Sequence, residues 1–354
     1  MKGILLHGGH GTRLRPLTHT GPKQLLPIAN KPMSQYCIES MKDAGITEIA
    51  LIVGGVGSHK VKEFYGDGKN LGVKISYIEQ DSPKGISHAI SLCENFIGDE
   101  KFLVFLGDNI IQKSIKKYFI DFINSDTAAS LLLCEVDNPS RFGVAEIKNN
   151  KITKIVEKPK NPSSNFAVTG IYFLTPKIFD IIRNLKPSSR NELEITDALD
   201  IMLSKNYDIS YHVISDYWKD TGTPEDIINA NKAILSKLKS WSYGEISKTS
   251  LISGNIIIEK GTKILGDSKI IGPVIIGENS IIDNSNIGPN ISIGDNSYIQ
   301  NCNMENSIIM KDCTIKNCEK IKNSIISSNS EIIKRKKDFD GNIFLLGEGT
   351  KILI

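Results

Sequence analysis

The sequence predicts an α/β domain built on a mainly parallel sheet, followed by a left-handed parallel β-helix. Two observations carry this. Across residues 1–238, short apolar runs alternate with stretches of helical periodicity, the pattern of strand–helix units that cover a parallel sheet. Beyond residue 239, Ser, Asn, Gly and Ile dominate. There isoleucine recurs every six residues at 252, 258, 264, 270, 276 and 282, resumes after a one-residue slip at 287, 293 and 299, and returns at 309, 315 and 321. At 354 residues two domains are expected, 1–239 and 240–354.

The first element is a buried strand, Gly3-Ile4-Leu5-Leu6-His7, running into Gly8-Gly9-His10-Gly11. Glycines at 8, 9 and 11 let backbone N–H groups turn toward a ligand with no Cβ in the way, which suits a phosphate cradle. Arg13, Arg15 and Lys23 put positive charge in the same stretch, as a triphosphate and charge spreading over phosphoryl oxygens require. On its glycines alone the segment is equally a plain turn. It is not a Walker loop, since no G-x-x-x-x-G-K-[ST] occurs, nor a dinucleotide fingerprint, because Leu14 stands where the third glycine belongs. A helix follows over 34–44, with Ser34 as its cap and Gly45 as its stop, then a strand over 48–53, a helix over 59–65 and a strand over 74–79. In such sheets ligands gather at the carboxyl ends of the strands, so function is sought where strands run out.

The strand over 74–79 runs into Gln80-Asp81-Ser82-Pro83-Lys84-Gly85. A glutamine amide offers both donor and acceptor to a base edge, although the segment alone describes a surface turn. Residues 102–106 form a continuous apolar run, as in a strand buried on both faces, and end in Gly107-Asp108-Asn109. A carboxylate at the end of a central strand is costly unless it holds something. Mg²⁺ is one guest, bound by one or two carboxylates with phosphate oxygens and waters, and a capping aspartate is the alternative. A hairpin over 144–147 and 151–156, turned by Asn149-Asn150, ends in Glu157-Lys158-Pro159, by itself a solvated ion pair. Glu192 to Asp197 opens a helix with Thr196 or Asp197 near its cap. After a strand over 208–214, Trp218 to Thr223 leads to Pro224, which starts a helix reaching about residue 238.

The string GGHGTRLRPLT followed by PKQLLPI resembles the signature of the sugar-nucleotide pyrophosphorylases, more narrowly the glucose-1-phosphate thymidylyltransferases, with His10 at the position that varies. The resemblance runs on through Q-x-x-P-x-G at 80–85, LGDN at 106–109, FGV at 142–144 with EKP at 157–159, VTGIY at 168–172, ELEITD at 192–197 and WKDTGT at 218–223. It implies a nucleotidyltransferase-type three-layer α/β/α domain. The implied reaction joins dTTP and α-D-glucose 1-phosphate to give dTDP-glucose and pyrophosphate. It also implies roles. Arg13 and Lys23 would balance the developing charge and the leaving group. Leu6, Gly8, Gly9, Gly11, Thr12, Gln24, Gln80, Pro83, Gly85 and Gly107 would line the nucleotide, and Gly143, Glu157, Lys158, Gly170 and Tyr172 the sugar phosphate. Asp108 and Asp220 would hold Mg²⁺, a pairing that rests on the resemblance alone. ELEITD is read as structural. The alternatives are a uridylyltransferase or another sugar-1-phosphate nucleotidyltransferase. A non-catalytic assembly subunit, like the exchange-factor subunits of eukaryotic translation initiation, need not keep Lys23, Asp108, Lys158 and Asp220, all of which stand here.

A six-residue period sets one aliphatic side chain on each flat face of a coil, three faces per turn, and small residues such as Thr262, Ser280 and Ser297 fall four places on. Neighbouring coils then bury a continuous isoleucine stack. Many hexapeptide-repeat domains are acyltransferases with a histidine base, yet the last histidine is His212. The tail is therefore expected to serve structure or assembly in a homo-oligomer, and a chain ended near Lys239 to leave a soluble, folded catalytic domain. Net charge is only +3, without basic–aromatic interleaving, which argues against a nucleic-acid partner. The short run Lys334-Arg335-Lys336-Lys337 reads as solvated surface. Six cysteines without a C-x-x-C pair read as reduced thiols of a cytoplasmic protein. No apolar run approaches the ~18 residues of a membrane span, and the chain opens directly on a strand, so neither membrane nor signal peptide is expected.

Overall fold

The computed structural model describes residues 1–9, 11–215, 217–334 and 348–353. By internal contacts the chain forms two compact units. The first comprises Met1–Gly11, Thr20–Leu25 and Met33–Asp220, and the second Thr12–His19, Leu26–Pro32 and Thr221–Ile354.

The first unit is built on a nine-stranded sheet. Lys74–Glu79, Glu48–Val53, Lys2–Leu6 and Phe102–Leu106 lie side by side, all parallel. Phe166–Leu174 runs antiparallel to Phe102–Leu106 and leads to the hairpin Gly143–Lys148 and Lys151–Glu157. Ala129–Glu135 pairs with Phe166–Leu174, and Ile209–Ile214 closes that edge in parallel. Successive residues of the central strands point to opposite faces. Ile4, Ala50, Phe102 and Val104 join one core with Ile90, Ile178 and Leu199. Leu5, Leu51, Leu103 and Phe105 join a second with Ile38, Met41 and Val61. Both faces are thus covered by helices, which is why these strands read as unbroken apolar runs. Asn149 and Asn150 both take positive φ, the conformation a two-residue hairpin turn demands.

Two helix starts and one helix end differ from expectation. Ser34 lies inside the helix Met33–Asp43, buried, with its hydroxyl donating to Gln24 O at 3.0 Å. The helix Ile195–Ser204 begins with Glu194 at the cap position, because the Thr196 hydroxyl is committed elsewhere, to Glu157. The third helix, Pro224–Leu235, starts as expected and ends three residues early. Thr223 caps it by accepting from Asp226 N at 3.2 Å, with Pro224 at its first position.

In the second unit, each short strand after Ser240 pairs in parallel with the strand three further on, so the chain cycles through three sheets. Ile258, Ile264, Ile270, Ile276, Ile282, Ile287, Ile293, Ile299, Ile309 and Ile315 are all buried in one core, and Met304 fills the gap in the series. Each such isoleucine taken from water is worth ~1.5–3 kcal/mol. The corners are small or left-handed. Thr262 Oγ1 donates to Gly277 O at 2.6 Å and Ser280 Oγ to Gly294 O at 3.0 Å. Asn279, Asn284, Asn290, Asn296, Asn301, Asn306, Asn317, Asn323 and Asn329 have positive φ, which asparagine tolerates better than most residues. Their amides form ladders between turns, as from Asn301 Nδ2 to Asn317 Oδ1 at 3.0 Å.

The helix Pro224–Leu235 belongs to this second unit. It packs on Pro27–Ile28 and Ile291–Ile293, and Asn231 Oδ1 accepts from Ala29 N at 2.7 Å and Ser292 Oγ at 3.0 Å. A chain ended near Lys239 would strip away part of this packing, so the expectation of a soluble remainder does not follow from the structure. Arg335, Lys336 and Lys337 of the basic run, and His10, lie outside the described residues. Among the described residues no helix is long and apolar enough to cross a membrane.

Candidate active site

The site forms at the carboxyl ends of the central strands. Lys2–Leu6 ends beside Phe102–Leu106, and Gly107 N donates to Leu6 O at 2.9 Å. A Cβ on Gly107 would stand 2.8 Å from that oxygen and 3.2 Å from both Gln24 Cγ and His7 Cδ2, so only glycine lets these strand ends meet. Gln24 Nε2 donates to Gly8 O at 3.0 Å, and a Cβ on Gly8 would stand 3.4 Å from Gln80 Oε1. Leu6, Gly8, Gln24, Gln80 and Gly107, far apart in sequence, therefore converge. Gly9 and Gly11 have positive φ, as a tight turn needs. Thr12 and Arg13 fall on the 3-10 turn Thr12–Leu14, exposed, in the second unit.

Gln80 is buried, with its amide nitrogen 2.9 Å from His88 Nδ1 and donating, more weakly, to Gly85 O at 3.4 Å. Burial and the Lys84 charge lower the His88 pKa, which leaves Nδ1 free to accept. Pro83 is exposed in the same turn. Gly85 has φ 101°, and a Cβ there would lie 2.6 Å from the Leu193 backbone. Lys84 O accepts from Leu193 N, and Ser87 N donates to Leu193 O. The segment read as ELEITD thus braces this turn.

Asp108 is paired with Lys23 through its Oδ2, and its Oδ1 accepts from Asn109 Nδ2 at 3.0 Å. Burial works to raise the Asp108 pKa, but the Lys23 charge and these hydrogen bonds outweigh it and hold the carboxylate ionised, below its ordinary range. Asn109–Ile111 pairs antiparallel with Trp218–Asp220, which sets Asp220 opposite Asn109 and so next to Asp108 along the strand. Asn109 Oδ1 accepts from Trp218 Nε1 at 2.8 Å and from Gly170 N at 3.3 Å. A Cβ on Gly170 would strike the Asn109 amide at 2.6 Å.

A second polar cluster surrounds Glu157. Its Oε2 accepts from Thr196 Oγ1 at 3.0 Å, and its Oε1 meets Arg190 Nη1 at 3.0 Å and Lys158 Nζ at 3.2 Å. Lys158 has φ 40°, a strained backbone for a lysine. Gly143 leaves room for Thr196, whose methyl would sit 2.5 Å from a Cβ. Tyr172 is buried in the core on one face of the sheet, and burial together with the Glu157 and Asp108 charges keeps its hydroxyl protonated. Four residues here escaped sequence reasoning. Arg190 stands alone in a loop without periodicity. Thr196 looked like a cap. Asn109 is overshadowed by its neighbour Asp108. His7 read as the last strand residue, yet both its ring nitrogens are buried without a hydrogen-bond partner, and burial, partly opposed by Asp108, pushes its pKa down to about 3. It is a neutral imidazole.

Among the described residues no group of three or more His, Cys, Asp or Glu could hold a metal by itself. Two carboxylates remain, Asp108 in the turn just before Asn109–Ile111 and Asp220 at the end of the strand paired with it, which fits a cation that takes its other ligands from phosphate and water.

Comparison with known proteins gives the family. Residues 2–237 match the Nucleotidyl transferase family model, and residues 270–352 match the GMPPB C-terminal domain. A glucose-1-phosphate thymidylyltransferase of Streptomyces antibioticus is 38% identical over 356 residues, covering 100% of this chain and 99% of that protein. The low-salt glycan biosynthesis nucleotidyltransferase Agl11 of Haloferax volcanii is 45% identical over 257 residues, 72% of each chain. A Bacillus anthracis structure named for glucose-1-phosphate thymidylyltransferase, solved with sucrose, superposes with a TM-score of 0.64 at 42% identity, over 68% of this chain and 98% of that one. A loop of glycines at a strand end, a buried Lys–Asp pair and matches of this extent lead to one conclusion: the chain belongs to the nucleotidyl transferase family and is a nucleotidyltransferase.

Proposed function

We propose that the chain transfers a deoxythymidylyl group from dTTP to α-D-glucose 1-phosphate, giving dTDP-glucose and pyrophosphate. The observation that supports it most is the reach of Asn109, which ties the Lys23–Asp108 pair to Gly170, the glycine expected beside the sugar. The sugar-phosphate oxygen attacks the α-phosphorus in line and pyrophosphate departs. The attacking group is already an anion, so positioning and charge stabilisation dominate and no protein nucleophile is needed.

In this reading Gly8, Gly9, Gly11 and Thr12 cradle phosphates, and Gln24 holds the loop through Gly8 O. Arg13 and Lys23 offset the charge that develops on the leaving group. Gln80, with Pro83 and Gly85 shaping its turn, reads the pyrimidine. Glu157, steadied by Thr196 and Arg190, accepts from sugar hydroxyls beside Gly143, Gly170 and Tyr172, and Lys158 meets the sugar phosphate. Asp108 and Asp220 would hold Mg²⁺, which when bound supplies charge neutralisation on phosphate oxygens. Residues 1–239 are read as the catalytic portion and 240–354 as a left-handed parallel β-helix serving assembly of a homo-oligomer in the cytoplasm, with no nucleic-acid or membrane partner.

The test is pyrophosphate release across dTTP, UTP, CTP and ATP, each with a panel of sugar 1-phosphates. Gln80 suits the O4 and N3–H edge shared by thymine and uracil and mismatches cytosine, a difference that can reach orders of magnitude in kcat/KM, whereas the thymine methyl adds only ~1–3 kcal/mol. The expected order is dTTP, then UTP, with CTP poor. CTP or ATP ahead of both dTTP and UTP would overturn the reading.

A further inference from the structure

The corners of the C-terminal strands repeat one small-residue device. Ser285 N donates to Ser268 Oγ at 3.2 Å, and Cys302 N donates to Ser285 Oγ at 3.0 Å, one coil further on each time. The column then continues with two cysteines. Cys318 stands one coil further on in that column, where its backbone N–H and its thiol both influence the Cys302 thiol. Asn303 N donates to Cys318 O at 3.3 Å, and the adjoining strands Asn303–Glu305 and Ile321–Lys322 pair in parallel, which keeps the two corners stacked. Neighbouring strands lie ~4.7–4.9 Å apart. That spacing falls inside the ~4.4–6.8 Å Cα window of a disulfide. Cys302 is buried, whereas Cys318 is half-buried and is the thiol a small oxidant meets first. Cys313 occupies a different corner, its thiol donating to Ser327 O at 3.2 Å.

We propose that Cys302 and Cys318 form a reversible oxidation site, in which a peroxide converts the stacked thiols into a disulfide that staples two neighbouring coils. The Cys318 thiolate attacks a peroxide oxygen and the O–O bond breaks, leaving a sulfenic acid and, after protonation, one water. The Cys302 sulfur then attacks the sulfenic sulfur, the S–O bond breaks and a second water leaves. Two thiols and one hydrogen peroxide give one disulfide and two waters, and a thiol reductant reverses the change. The thiolate is the attacking species. Burial holds both thiols protonated, with the Cys318 pKa pushed up to about 11, so oxidation is slow near neutrality. Its rate should rise about tenfold per pH unit up to roughly pH 9.

The experiment treats the folded full chain with hydrogen peroxide, blocks remaining thiols with iodoacetamide and maps peptides by mass spectrometry. The expected product is a Cys302–Cys318 cross-linked peptide that dithiothreitol abolishes, with Cys313 still alkylated and the thermal unfolding midpoint raised. In Cys318→Ser, which restores the hydroxyl that Ser285 supplies two coils earlier, Cys302 should stay reduced. The proposal is overturned if Cys302 remains fully alkylated while Cys318 is driven to sulfinic acid, or if the cross-link forms equally often in the urea-unfolded chain. Cross-linking of Cys302 to Cys313 in the Cys318→Ser protein at the original rate would also overturn it.

Discussion

Lys23→Met probes the centre of the site. The ammonium of Lys23 meets the carboxylate of Asp108 with each side chain only 13% exposed. Burial is the largest influence on Asp108 and acts to raise its pKa, and the Lys23 charge is the first of those that overcome it. Without Lys23, burial prevails and the pKa rises. An opposite charge at contact is worth ~1–3 pKa units, so the acidic limb of kcat/KM is expected to move up by about that much. Stability changes sign with it. In the unaltered chain the depressed pKa gives Asp108 a contribution that is present above the unfolded value, ~3.9, and is lost as pH falls through the folded value. In the variant the folded state holds the proton more tightly, so stability declines as pH rises from ~4 through the new pKa. We also expect kcat to fall more than KM rises, because the charge is needed most as pyrophosphate leaves. The assay pairs pH–rate profiles at saturating Mg²⁺ with urea unfolding at the same pH values. An acidic limb that stays in place while the urea midpoint keeps climbing through pH ~4–6 would refute the assignment.

Asp108→Asn keeps the size and removes the charge, and turnover at limiting Mg²⁺ should fall at least ~100-fold, the cost of one lost charge-stabilising contact. Near-normal turnover there would remove Asp108 from the metal site. Thr196→Val keeps the shape that fits Gly143 but takes the hydroxyl from Glu157 Oε2, worth ~0.5–1.5 kcal/mol. KM for glucose 1-phosphate should rise roughly 2- to 12-fold while KM for dTTP holds, with Thr196→Ser restoring it. A parallel change in both KM values would mean a general loosening. A chain ended after Lys239 loses Ser292, which donates to Asn231, and the strand Ile291–Ile293 on which the Pro224–Leu235 helix packs. Light scattering should show association or aggregation, and a monodisperse, fully folded product would show that the helix keeps its place without the tail.

The elements that read most directly were those whose signal is local. Ile264, Ile282 and Ile299 recur at fixed intervals because each must face the same interior, and the structure buries all three completely. The asparagines at the corners carried a second signal beside the isoleucines. Asn279, Asn296 and Asn329 mark one corner column, where a left-handed residue is needed at each turn. Helix starts were less legible. Thr196 and Ser34 have the chemistry of caps, but a hydroxyl recruited by Glu157 or Gln24 O cannot also cap a helix, and sequence shows no sign of that competition.

The two aspartates proposed to hold the metal mark the limit of such reading. Asp108 follows an apolar strand and Asp220 follows a tryptophan, and nothing in either context names the other. Their neighbourhood comes from a ladder only three residues long, with Asp220 opposite Asn109 and Trp218 opposite Ile111. So short a ladder is marginal alone. It is held in register by the Trp218 indole, which reaches across to Asn109 Oδ1 in a buried setting where a missed partner would cost ~1–3 kcal/mol. The same oxygen accepts from Gly170 N, while the Asn109 amide nitrogen donates to Asp108. One buried asparagine therefore fixes the direction of one carboxylate, the register that brings up the other and the position of the glycine expected beside the sugar. A residue with that many obligations leaves no periodic trace, because its constraints come from three strands distant in sequence. Aspartate in its place would keep the acceptors but lose the donor to Asp108 and set two carboxylates side by side. The Lys23–Asp108 balance described above would then shift toward protonation even with Lys23 present.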